Sequence, residues 1–196
     1  MTIRIVDILV IVILSLLTYG FLNKSSLIDK RKNIIAVIVV MALCSFLILW
    51  KTDRGPMQSI YVSMFYLLGL ISVVDFFKKE IYLELFIAAV PLIILNIILF
   101  IDNWDLKKLI FTMGVILFFI IIGFLFRNSI GFGDILLFIL LILAFEFQTA
   151  IFLILLSFML SGMYGLILFS ARKVTKGYEI PLTPFLLTAY MIFIIL

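Results

Sequence analysis

The sequence predicts an all-α, polytopic membrane helical bundle of about eight transmembrane helices, and three observations carry that expectation. First, 66% of the 196 residues are apolar and 13% charged, with a mean hydropathy of +1.41. A soluble domain carries roughly half apolar and about a quarter charged residues. In water a chain of this size leaves about a third of its surface exposed, so such an apolar surplus requires hydrocarbon around it. Second, apolar runs near the length of about 20 residues needed to cross a bilayer recur along the whole chain. Third, the charges fall in short clusters between those runs, where they mark membrane topology.

The expected spans are 3–22, 34–50, 58–75, 81–101, 109–126, 131–145, 148–171 and 180–196. The first is read as a span and not a removable signal. Asp7 interrupts its start, no small-x-small cleavage pattern follows, and further apolar runs come after it. The third ends on Asp75 after an uncharged stretch at 55–74. The sixth is the shortest, with eleven uncharged residues between Asp134 and Glu146, and the eighth carries Pro181 and Pro184. Ser157, Ser161, Gly162 and Gly165 in the seventh read as helix-packing positions. The longest connection, 23–33, is too short for a soluble domain.

Positive charge is retained on the cytoplasmic side. With the N-terminus outside, cytoplasmic loops hold Lys24, Lys30, Arg31, Lys32, Lys78, Lys79, Arg127, Arg172, Lys173 and Lys176. The opposite side holds Arg4, Lys51, Arg54, Lys107 and Lys108. Ten against five favours an outside N-terminus in the cell membrane. Trp50 and Trp104 then fall at the outer interface, where aromatic rings anchor.

Composition also removes function classes. There is no His, which excludes Ser-His and Cys-His triads, HExxH zinc sites and imidazole proton relays. The single Cys44 lies in an apolar run and can form neither an intrachain disulfide nor a CxxC knuckle. The net charge of +4 is explained by headgroup-facing loops, so no nucleic-acid partner is expected. No cofactor or metal site is expected either. Acid–base chemistry is left to carboxylates, Lys, Tyr and hydroxyls.

Most carboxylates read as solvated loop groups: Asp29, Asp53, Glu80, Asp102, Asp105, Glu146 and Glu179. Asp7 and Glu84 lie near helix ends, within reach of water. Asp75 and Asp134 differ. An ionisable group inside hydrocarbon is costly and therefore a functional candidate. On the topology above, both close off the cytoplasmic ends of their helices. They are 59 residues apart in sequence but at one membrane depth. Two carboxylates that meet cannot both ionise comfortably, so they share a proton and titrate as a unit. One then serves as base and the other as acid toward a water.

Gly131-Phe132-Gly133-Asp134 gives the second carboxylate its setting. Glycines permit unusual backbone angles and close approach of another chain, which suits a helical substrate that must be opened before hydrolysis. The competing reading is structural: the glycines break the chain between helices and Asp134 caps the second.

These residues resemble the type IV prepilin and preflagellin leader peptidases, GxGD-type membrane aspartic proteases. In that family the first Asp ends a membrane helix before a basic stretch and an Ile-Pro pair; here Asp75-Phe-Phe-Lys78-Lys79-Glu80-Ile81-Tyr82 keeps all but the Pro. Gly131 to Asp134 matches Gly-x-Gly-Asp. Ile180-Pro181-Leu182-Thr183-Pro184-Phe185-Leu186 is similar to Ile-Pro-Phe-Gly-Pro-Phe-Leu. The resemblance covers about residues 60–196. It departs at Tyr82 and at Leu136, where the family commonly has Lys.

Residues 1–57 lie outside the resemblance and read as two N-terminal spanning helices without an assigned role, while the resemblance implies a six-helix peptidase core at 58–196. It implies Asp75 and Asp134 as the catalytic pair, with Gly131, Gly133, Pro181 and Pro184 in support. Pro181 and Pro184 either break the last helix beside the site or only shape its start. The implied substrate partner is a pilin-like precursor with a short basic leader and a following hydrophobic helix, cut at the cytoplasmic face. Larger members carry a cytoplasmic CxxC insertion associated with N-methylation; nothing here matches it, so no methyltransferase activity is expected. A small transporter or channel, or a catalytically inactive binder of pilin-like helices, is the alternative reading.

Overall fold

The computed structural model describes residues 5–24, 31–51, 58–78, 90, 94, 106–126, 131–171 and 180–196. These form seven helices, with no strand among the described residues: α1 (Ile5–Lys24), α2 (Arg31–Lys51), α3 (Gln58–Lys78), α4 (Leu106–Leu125), α5 (Phe132–Ala144), α6 (Phe147–Ser170) and α7 (Thr183–Ile195). The expected all-helical architecture is therefore observed. The expected span 81–101 lies outside the described residues, apart from Val90 and Ile94.

The core is built around α3, which packs against α1, α2 and α7. Nearly every side chain of α3 from Ile60 to Asp75 is buried, on all sides of the helix, as expected of a segment without a polar face. Its partners in the core include Leu137 and Leu141 of α5, Leu153 of α6, and Leu186 and Tyr190 of α7. Two long-range hydrogen bonds fix α3 and α7 antiparallel: Tyr190 Oη donates to the Tyr61 carbonyl at 2.7 Å, and Thr183 N–H donates to Asp75 Oδ2 at 3.2 Å. Ser15 Oγ and Tyr66 Oη pair at 2.8 Å and tie α1 to the same core.

The helix limits differ from expectation in informative ways. α2 and α3 extend into the flanking basic residues Arg31, Lys32, Lys51 and Lys78. Asp75 consequently lies inside the last turn of α3 and does not end it. α5 and α7 are 13 residues each, about 20 Å at 1.5 Å per residue, and fall short of a hydrocarbon core of about 30 Å. α6, with 24 residues, is long and apolar enough to cross. Of the small residues expected to pack in α6, Ser157 is buried and a Cβ on Gly165 would meet Ile180 Cδ1 at 2.8 Å, but Gly162 is exposed with open space beside it.

α4 meets α5 where Gly123 faces the buried Ile135. A Cβ on Gly123 would overlap Ile135 Cδ1. Gly123→Ala therefore forces the helices apart or Ile135 out of its rotamer, at a cost of about 1–3 kcal/mol. The expected result is a thermal midpoint in detergent lowered by about 2–4 °C per kcal/mol. Adding Ile135→Ala should recover part of that loss, and an unchanged midpoint in the single variant would contradict the close packing.

Candidate active site

Three helix ends meet at one end of the bundle: the C-terminus of α3 and the N-termini of α5 and α7. Asp75 lies in the last turn of α3 and is only 6% exposed. A buried carboxylate is costly unless hydrogen-bonded, and here Oδ2 accepts the backbone N–H of Thr183. That N–H is available because the first amides of a helix have no partner within it, and Thr183 is the first residue of α7. Pro184 follows in the first turn, where a proline takes no hydrogen bond from the helix. Pro181 precedes the helix, half-buried. Both prolines therefore lie at the start of α7.

Asp134 sits in the first turn of α5, half-buried, at the third position after the N-cap Gly131. Its carboxylate is within hydrogen-bonding reach of the Gly131 backbone N–H. The third position is where a capping-box carboxylate sits. Gly131 has φ −64° and ψ 137°, an extended conformation open to any residue, so its expected backbone freedom is not used. What its missing side chain provides is room: a Cβ there would stand 3.2 Å from Asp134 Oδ2. Gly133 lies in the same turn, half-buried.

Asp75 and Asp134 lie at the same end of the bundle, near enough for the charge of Asp75 to bear on Asp134. Asp75 is the more buried of the two and is fixed by an N–H, while Asp134 is more accessible. Leu136 is half-buried one turn into α5. Glu146 is an exposed N-cap of α6, as expected of a loop acid. Asp29, Asp53, Glu80, Tyr82, Glu84, Asp102, Asp105 and Glu179 lie outside the described residues. An apolar cavity of about 280 Å³ between Phe111, Phe118, Phe119 and Phe147 touches neither aspartate and carries no polar side chain.

Sequence reading missed Thr183 as a neighbour of Asp75. The signal was present as a Thr in a Pro-flanked segment, but the contact joins residues 108 apart, and no local pattern encodes it.

The chain belongs to the type IV leader peptidase family, whose model matches residues 62–166, more than half of its length. The match contains Asp75 and the Gly131–Asp134 segment and stops before the Ile180–Leu186 segment. No curated protein and no solved structure gives a match. Membership makes this a protease of the leader-peptidase kind, in a membrane-associated family.

Proposed function

We propose that the chain is a membrane aspartic endopeptidase that removes the short basic leader of type IV pilin-like precursors at the cytoplasmic membrane face. The observation that supports this best is the convergence of Asp75 and Asp134 from separate helices, with Asp75 buried against the start of α7. In the proposed reaction one carboxylate takes a proton from water as its oxygen bonds to the scissile carbonyl carbon. The other gives a proton to the carbonyl oxygen. Collapse of the tetrahedral intermediate breaks the C–N bond: the first carboxyl passes its proton to the leaving nitrogen, and the second recovers its own.

Residues 58–196 form the proposed catalytic core. The two helices of 1–57 would buttress α3, a role in keeping with the Ser15–Tyr66 bond. A multi-pass membrane setting is supported by the length of α6 and by exposed Phe124, Met159, Leu166 and Ile167, which suit lipid contact. The excess of basic residues in one set of loops supports an outside N-terminus and a cytoplasmic site. With a single Cys and no CxxC pair, we read the protein as a peptidase without N-methyltransferase activity.

The test is cleavage in proteoliposomes of a precursor carrying a short basic leader and a hydrophobic helix, read by mass spectrometry. One new N-terminus at the leader–helix junction is expected. An intact precursor beside folded enzyme would remove the reading; binding without cleavage would favour an inactive binder of pilin-like helices. Asp102→Asn and Asp105→Asn, assigned to the outer side, should leave the rate within about twofold, as surface substitutions do.

A further inference from the structure

Thr183 carries a second polar group at Asp75 that the dyad mechanism does not use. Its side chain is fully buried, and Oγ1 has no hydrogen-bond partner among the described residues. Three other buried hydroxyls in the bundle are satisfied locally. Thr18 donates to the Leu14 carbonyl, Ser45 to Met41 and Ser157 to Ile154, each one turn back along its own helix. Thr183 is the first residue of α7 and has no helical turn behind it. A buried hydroxyl left unpaired weakens the fold, and valine would fill the same space without that cost. Among the described residues the hydroxyl is thus left for a partner of another kind.

The backbone identifies the direction of that partner. The N–H of the same residue is bonded to Asp75 Oδ2, so the hydroxyl is held within one residue's reach of the carboxylate. A hydroxyl offers one donor and two acceptor sites, which matches a water shared with a carboxylate. We infer that Thr183 is a positioning residue: its N–H fixes Asp75 and its hydroxyl orients the attacking water against that carboxylate. The inference rests on the aspartic-protease reading above. The family pattern has Gly at this place, so the hydroxyl is a feature of this chain's own site.

The experiment compares wild type, Thr183→Val, Thr183→Ser and Asp75→Asn in the proteoliposome cleavage assay, with thermal midpoints measured in parallel. Thr183→Val should lower kcat about tenfold, in line with a 10²-fold loss for a misplacement of about 1 Å. Its KM should be unchanged and its midpoint equal to or above wild type, because an unpaired buried hydroxyl has been removed. Thr183→Ser should restore most of kcat. A Val variant with wild-type kcat, beside an inactive Asp75→Asn, would overturn the role of Thr183 and leave the dyad standing. A fall in the midpoint together with equal losses in the Val and Ser variants would also overturn it, as the mark of a packing role. An active Asp75→Asn would remove both.

Discussion

Asp75→Asn and Asp134→Asn are each expected to abolish precursor cleavage while leaving the folded protein in the membrane. The loss should reach or exceed the range of about 10²–10⁴-fold contributed by one acid–base group, because each carboxyl both takes and gives a proton in the proposed cycle. Asn suits the test for a structural reason. Its side-chain carbonyl can still accept the N–H of Thr183 at position 75 and lie within reach of the Gly131 N–H at position 134. The contact to α7 and the polar group beside Gly131 are thereby kept, and only the proton chemistry is removed. If Asp134 were merely a cap, Asp134→Asn would keep near-normal activity. If it is half of the dyad, activity disappears with the thermal midpoint unchanged. The check is the cleavage rate per folded enzyme, and full activity in either variant ends the aspartic reading.

How much of this site can be read from sequence depends on which contacts are local. The two aspartates stand out because each interrupts a long apolar segment at its boundary, and the alternation of spans puts both boundaries at one depth. The helix assignment was legible for the same reason: charge clusters and Gly or Pro residues punctuate the apolar runs. The limits were less legible. Composition could not show that α3 continues to Lys78, because a helix can run past its last apolar residue without changing the hydrophobic count. Nor could it show that α7 begins at Thr183 and not at Ile180, since that choice follows from using the start of the helix against Asp75. The glycine motif suggests space for an approaching chain, and what stands beside Gly131 is a neighbouring side chain. The room at Gly131 is filled by the Asp134 carboxylate, and the backbone there is ordinary.

That last point yields the second large effect. Because Gly131 has a conformation open to any residue, its replacement strains no backbone, and the consequences come from the side chain alone. In Gly131→Ala the new Cβ would stand 3.2 Å from Asp134 Oδ2, so the carboxylate must give by a few tenths of an ångström. In Gly131→Val the branched side chain drives it farther, toward the displacement of about 1 Å that costs on the order of 10²-fold in rate. The expected series is therefore a partial loss of kcat in Ala and a loss of about 10²-fold in Val. Loss of the N-cap glycine adds about 1 kcal/mol of destabilisation, which a thermal midpoint reports separately. A motif that only breaks the chain between α4 and α5 makes the opposite forecast, with midpoints falling while the rate per folded molecule stays level. The graded loss of rate at small cost in stability is what a glycine placed to seat a reacting carboxylate requires.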